Sequence, residues 1–398
     1  MSIFGQGRPT VWRLCAAQAL AGSHATVLFA SGAVVGRELA PEAELATLPV
    51  SLFVVGMAAS TLPAGRIATR HGRSRVFLIG SVSGLMAGLT AALAVVIQSF
   101  LLFCAAAFAA GSYAAVVLTF RFAAAECVPA PAKARALSLV LAGGIMAGLI
   151  GGQLVSLTMD LIPGRDFVGT YIASSGIAVL AGLLLRKVNL REPIAGTAAL
   201  GRPLREIARQ PLFLAAVSSG VVTYLLMNFL MTSAPLAMRM HGLSQNHANN
   251  AVQWHVVAMY APSFVVGRLI TRIGATWVTA TGLLIIGLAA GVGLLGMTTD
   301  HFLVAMIVLG VGWNFGFTGA SAMVLETHRP EERARVQSTN DFIVFGSVAL
   351  GSFLSGGMLV RYGWQVVCMT VFPLVLFSFI ALFAFRRHQA DTSPLAAS

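Results

Sequence analysis

Twelve apolar runs, each long enough to cross a lipid bilayer as a helix, follow one another along this 398-residue chain, and no other feature constrains its fold so tightly. They fall at about 14–36, 46–68, 76–97, 99–124, 136–159 and 167–185, then at about 211–238, 248–271, 277–297, 302–325, 338–358 and 366–385. A span needs about 20 apolar residues, because hydrocarbon offers no partner to backbone N–H and C=O groups and a helix pairs them internally. Composition agrees: 57% of the residues are hydrophobic and 10% are charged, against roughly 25% charged in an ordinary soluble domain. What is left makes short loops, two tails and one long polar stretch at 186–210. A large soluble catalytic domain, a barrel of short alternating strands and a singly anchored enzyme are excluded. The expected fold is an all-α membrane protein with twelve transmembrane helices in two six-helix bundles, 1–185 and 211–398, joined by a cytoplasmic linker at 186–210.

The net charge of +12 would raise the question of nucleic acid in a soluble chain, so the placement of the charges decides. With both termini cytoplasmic, all but five of the 26 Lys and Arg residues fall in cytoplasmic segments; the exceptions are Arg37, Arg165, Arg239 and Arg361 outside and Arg121 within the fourth span. This is the bias that orients helices in a bacterial inner membrane, and it accounts for the basic balance without nucleic acid. The first run follows Arg8 and Arg13 as a signal peptide would, but it is too long for a cleavable apolar core and is expected to stay as the first helix. Cys15, Cys104, Cys127 and Cys368 stand far apart with no Cys-x-x-Cys or Cys/His spacing, so no metal site, disulfide framework or cofactor is expected.

The two halves repeat each other. Gly65-Arg66-Ile67-Ala68-Thr69-Arg70-His71-Gly72, after the second span, returns as Gly267-Arg268-Leu269-Ile270-Thr271-Arg272-Ile273-Gly274, after the eighth. Glu126, Lys133-Ala134-Arg135, Ser138 and Gly151 return as Glu326, Arg333-Ala334-Arg335, Ser338 and Gly351. Two loops repeating at nearly one offset imply parallel six-helix repeats about an axis along the membrane normal, with a substrate site between them near the midplane.

Twelve spans in two repeats, with a Gly-x-hydrophobic-x-x-Arg-x-Gly-Arg loop after the second and a weaker copy after the eighth, resemble the major facilitator superfamily over essentially the whole chain. Gly65, Arg70, Gly72 and Arg73 occupy the signature positions, while Thr69 replaces the family's usual aspartate and with it one side of the customary salt-bridge lock. Gln253-Trp254-His255, Trp313-Asn314-Phe315-Gly316 and Asn340-Asp341-Phe342 are similar to segments of a bacterial branch that includes riboflavin uptake permeases. The resemblance implies transport by alternating access. Gly148 is followed by Leu149, so the Gly-Pro pair of the family's drug and proton antiporters is missing from the fifth span.

Glycines spaced four apart, at Gly80, Gly84 and Gly88, at Gly144, Gly148 and Gly152 and at Gly312 and Gly316, offer seams for close helix packing. Charges at the cytoplasmic ends suggest a gate built of Arg70, Arg73, Arg121, Glu126, Arg135, Arg335 and Asp341, or solvated loops that merely satisfy the charge bias. Exposed pairs contribute about 0 to 1 kcal/mol each, so a latch needs the network.

Within the spans, His24, Tyr113, Tyr224, Asn228, Gln253, Trp254, His255, Trp313 and Asn314 are the candidate substrate contacts. Amide and indole groups need partners in a low-dielectric interior, and a substrate can supply them. No Asp or Glu lies near the centre of a span, so His24 and His255 are the candidate carriers if protons drive transport. These residues describe a wet, aromatic, uncharged pocket. The expected function is secondary transport or facilitation of a small neutral or zwitterionic aromatic organic solute by a monomer, without enzymatic chemistry. A drug or metabolite:proton exporter, a membrane sensor and an intramembrane enzyme remain alternatives.

The topology predicts that single cysteines placed at 66–75 or 202–209, in a chain freed of its own four, resist an impermeant thiol reagent in intact cells and react after the membrane is opened. Labelling of intact cells at those positions overturns the orientation.

Overall fold

The computed structural model describes residues 7–120, 123–124, 127–129, 133–186, 188, 202–329 and 332–391. Its helices are α1 (Arg8–Leu39), α2 (Leu48–His71), α3 (Arg73–Val96), α4 (Phe100–Val117), α5 (Lys133–Thr158), α6 (Val168–Arg186), α7 (Pro211–Met240), α8 (Gln245–Tyr260), α9 (Ser263–Ile273), α10 (Ala275–Leu295), α11 (Thr299–Leu325), α12 (Arg333–Met369) and α13 (Val371–Asp391). One-turn helices at Ala43–Leu45 and Leu204–Ile207 complete the set among the described residues.

Among the described residues, eight helices, α1 to α4, α6, α7, α10 and α11, are long and apolar enough to cross a membrane unaided. The all-helical membrane fold holds, while the helices do not fall into twelve unbroken spans. The eighth span is α8 followed by α9, parted at Ala261 and Pro262. Proline has no N–H to continue the hydrogen-bond ladder, and its ring crowds the preceding turn. The eleventh and twelfth spans meet inside α12 at Gly363, whose φ of 80° and ψ of 173° are not helical.

The repeated loops fold alike. Gly72 (φ 81°, ψ 157°) closes α2 and opens α3, and Gly274 (φ 87°, ψ 154°) closes α9 and opens α10. Positive φ at such a corner favours glycine, which explains why both copies of the motif end on it. Elsewhere Ser99, Ser244 and Thr298 cap helix starts by accepting from Leu102, His247 and His301 N–H groups.

Helices pack as two bundles. In the first, α1 lies on α5, α2 on α4, and α3 on α4 and α6; in the second, α7 lies on α11 and α12, α8 on α11, and α10 on α11 and α13. The bundles meet where α2 touches α12, where α5 touches α8, and along α1 against α7 and α8. Towards the end that holds Leu39 and Met240, the hydrogen bonds described between the bundles join neutral groups. Ser51 Oγ donates to Ser352 Oγ (2.9 Å), Gln245 Nε2 to the Ala30 carbonyl (3.2 Å), Asn249 Nδ2 to Ser156 Oγ (3.4 Å) and Gln153 Nε2 to Gln253 Oε1 (3.0 Å).

At the opposite end an ion pair ties the linker to the second bundle. The buried Glu332 carboxylate accepts from Arg202 Nε (3.0 Å), Arg202 Nη2 (2.8 Å), the Arg202 backbone N–H (2.8 Å) and the Arg329 backbone N–H (2.9 Å). Arg202 also reaches the Thr327 carbonyl at 3.2 Å, so the chain entering the second bundle is pinned to the loop before α12. The Arg202 side chain, then the backbone N–H of Arg329, hold the Glu332 carboxyl well below the usual carboxylate range. A depressed folded pKa contributes stability that is present above the ordinary glutamate value and is lost as pH falls through the folded value. Glu332→Gln should therefore lower the thermal midpoint of the purified protein at neutral pH, with the gap to wild type narrowing below the ordinary glutamate range. A gap that is absent at neutral pH, or that widens on acidification, removes the carboxylate from this role.

Candidate substrate site

A cavity lies between the bundles, bordered by α1, α2, α4 and α5 on one side and α7 and α8 on the other, with about 740 Å³ of empty space counted to its open mouth. Helical periodicity aims the lining. On α1, Gln18, Ala21, Gly22, Ala25 and Phe29 fall at i, i+3, i+4, i+7 and i+11; on α7, Tyr224, Met227 and Met231 fall at i, i+3 and i+7. The polar groups of the lining come from Gln18, Thr26, Tyr224 and Tyr260, and no residue of the lining is charged. Methionines 57, 227, 231 and 259 make much of the rest, and their unbranched, polarisable side chains adapt to irregular shapes.

The second bundle presents an aromatic wall. Tyr224 stands edge-on to Trp313, Phe317 and Phe345, with ring centroids 5.7, 5.4 and 5.2 Å away, and Trp313 stacks on Phe317 at 5.2 Å. Tyr260 lies 6.4 Å from Trp313 and is laid against α5 at Gly144, where an added Cβ would stand 2.7–2.9 Å from its ring. The next two glycines of that seam, Gly148 and Gly152, receive Val256 and Gln253. The α5 seam is therefore the surface on which α8 rests.

Of the nine candidate contacts, Tyr224 lines this cavity. His24 does not, because it is turned about 100° from Ala25 into the first bundle. There its Nδ1 lies 2.6 Å from Ser174 Oγ and its ring meets Tyr113 edge-on at 5.7 Å, beside a narrow void shared with Tyr171. His255 is turned the other way, into the second bundle, where Nδ1 donates to the Met306 carbonyl at 2.7 Å. The two histidines are therefore not brought together. Gln253 bonds to Gln153 on α5. Trp254, two residues and about 200° from the lining residue Val256, sits on the outer face and is 42% exposed. Asn314 Nδ2 donates to the Met259 carbonyl (2.6 Å) and to Ser263 Oγ (2.8 Å), clamping the α8–α9 break.

Several candidates keep buried polar atoms without a protein partner. These are Tyr113 OH, both amide atoms of Asn228, His255 Nε2, Trp313 Nε1 and Asn314 Oδ1. Phe29 and the methionines give no signal in the sequence that singles them out, whereas Gln18 and Tyr260 stand out as polar groups in the same spans as His24 and His255. Of the gate, Arg121 and Glu126 lie outside the described residues, as do the side chains of Arg70, Arg135 and Arg335. Arg73 and Asp341 are half-buried near the starts of α3 and α12, and Asp341 accepts from Asn340 Nδ2 at 3.1 Å.

The model of the major facilitator superfamily matches residues 14–261 and 221–397. The chain belongs to the major facilitator superfamily. It is a multi-pass membrane transporter and not an enzyme. It is 44% identical over 372 residues to the riboflavin transporter RfnT of Brucella anthropi, covering 93% of this chain and 94% of the relative. It is 26% identical over 381 residues to the MFS-type transporter YddS of Bacillus subtilis, covering 90% and 86%. Among solved structures, a bacterial homologue of the human lysosomal transporter Spinster, inward-facing and unoccupied, aligns with a TM-score of 0.71 at 17% identity, covering 98% of this chain and 99% of that one. The human organic anion transporter MFSD10 aligns at 0.70 and 15% identity, covering 95% and 99%. At such identities these likenesses concern the fold.

For this superfamily member, Gly144→Leu should push the Tyr260 ring towards the cavity and reduce substrate uptake severalfold while the protein still folds and reaches the membrane. Uptake at the wild-type rate in a correctly inserted variant shows that the ring's seat on α5 does not shape the cavity.

Proposed function

We propose that this chain carries riboflavin, or a closely similar flat heteroaromatic solute, inward across the bacterial inner membrane. The observation that carries the reading is the 44% identity to a riboflavin transporter across nearly the full length of both chains. The cavity supports it chemically. Tyr224 and Tyr260, backed by Trp313 and Phe317, offer aromatic faces and edges to a planar ring system. A lining without charge suits a neutral solute and gives a phosphate nothing to pair with.

In this reading residues 1–185 and 211–398 rock as two units, with termini and linker on the cytoplasmic side, and one chain suffices as a monomer. The neutral hydrogen bonds between bundles near Leu39 and Met240 are exchanged for water when that end opens. Any proton coupling is assigned to His24 and His255, acting separately within their own bundles.

Vesicles reconstituted with the purified protein should accumulate labelled riboflavin above empty vesicles, and the phosphorylated form should compete poorly. Tyr224→Ala should cut uptake by about tenfold, the scale of a lost aromatic contact of roughly 1.4 kcal/mol. Absence of riboflavin uptake by correctly oriented wild-type protein overturns the reading.

A further inference from the structure

The unsatisfied polar atoms are unevenly shared between the bundles. Among the described residues of the first bundle, the buried side-chain atom without a partner is Tyr113 OH, while His24 and Tyr171 are bonded to Ser174 and Ser31. The second bundle holds both atoms of the Asn228 amide, His255 Nε2, Trp313 Nε1, Asn314 Oδ1 and the Thr232 hydroxyl, on helices α7, α8 and α11 that pack on one another. Asn228 is 1% exposed and His255 is fully buried. A buried amide that bonds through neither end is a poor structural element, since an apolar side chain of the same shape would avoid the desolvation.

Placement shows what could reach them. Asn228 follows Tyr224 by one helical turn, about 6 Å along α7, and stands about 100° from Met227, which lines the cavity. It therefore lies just behind the wall formed by Tyr224 and Met227. A methionine side chain turns about three bonds and can yield. Chemistry narrows the ligand further. The Met306 carbonyl can only accept, so His255 Nδ1 carries the proton and the neutral ring leaves Nε2 as an acceptor in need of a donor. The Asn228 carboxamide sets a donor beside an acceptor. Its complement is an imide, an N–H flanked by carbonyls, such as the polar edge of a flavin ring.

Resting on the riboflavin reading, we infer that the second bundle recognises the imide edge of the substrate through the Asn228 carboxamide. Asn228 pairs with the imide N–H and one carbonyl of the ring, His255 Nε2 accepts from a bridging water, and the first bundle faces the ring with Gln18 and Thr26 set among apolar residues.

The full-length protein in detergent, titrated by quenching of flavin fluorescence, tests this with three ligands: riboflavin, lumiflavin, which replaces the hydroxylated chain with a methyl group, and lumiflavin methylated at the imide nitrogen. Wild type should bind riboflavin and lumiflavin, and the imide-methylated ring about tenfold or more weakly. Asn228→Leu should weaken riboflavin and lumiflavin alike to that level and lose nothing further on the methylated ring, and Tyr113→Phe should bind all three as wild type does. The comparison of the two ring ligands on wild type needs no variant, so a misfolded Asn228→Leu protein leaves the inference open to refutation. Equal binding of methylated and unmethylated rings by wild type overturns it, as does a loss in Asn228→Leu confined to riboflavin, which assigns the amide to the hydroxylated chain. An equal loss in Tyr113→Phe places the polar contact in the first bundle and overturns it too. Wild type that binds neither flavin ends the riboflavin reading itself, a result distinct from these.

Discussion

Hydrocarbon supplies no hydrogen-bond partner, and that single constraint shapes this transporter at every level. It forces each crossing into a helix, and where a helix is interrupted it demands a substitute partner from the protein. At the α8–α9 break the Asn314 side chain takes the Met259 carbonyl. The loops that turn the chain back, at Gly72 and Gly274, are glycine corners at the bundle ends, where water can serve the backbone. The same constraint gives meaning to the exceptions: a buried amide such as Asn228 that bonds to nothing stands out because its surroundings cannot solvate it.

Alternating access requires an interface that holds and then lets go. The hydrogen bonds described between the bundles near Leu39 and Met240 suit this, being single bonds between neutral groups, and glycine-seated side chains accompany them. A neutral hydrogen bond in a protein contributes about 0.5 to 1.5 kcal/mol net, because water replaces it readily. The Glu332–Arg202 pair, multiply bonded and buried on the carboxylate side, ties the linker to the second bundle. A multiply bonded ion pair thus pins the chain entering the second bundle, while single neutral hydrogen bonds join the two bundles near Leu39 and Met240.

Much of the candidate site was legible as chemistry and little of it as geometry. The residues named for their type included Tyr224, which lines the cavity, and Asn228 and His255, which keep unpaired atoms within the second bundle. Rotation about each helix axis sorted the rest. One position is about 100°, enough to send His24 into the first bundle while Ala25 faces the cavity, and two positions turn Trp254 to the outside while Val256 faces in. The apolar lining, Phe29 and the methionines above all, gave no chemical signal, because in a chain of this composition an apolar residue on a helix is the ordinary case.

The sequence by itself determined the helical membrane fold, the two-fold repeat and the uncharged character of the interior. These follow from local rules: apolar length fixes a span, repeated loops fix the internal symmetry, and the scarcity of charge within spans limits what the interior can bind. Tertiary structure alone decided which face of each helix meets the cavity, which polar atoms are satisfied and which bundle is left with unpaired ones. Those properties depend on the angle at which each helix is set against its neighbours. That angle results from the seating of side chains such as Tyr260 and Gln253 on glycines of α5, more than 100 residues earlier in the chain.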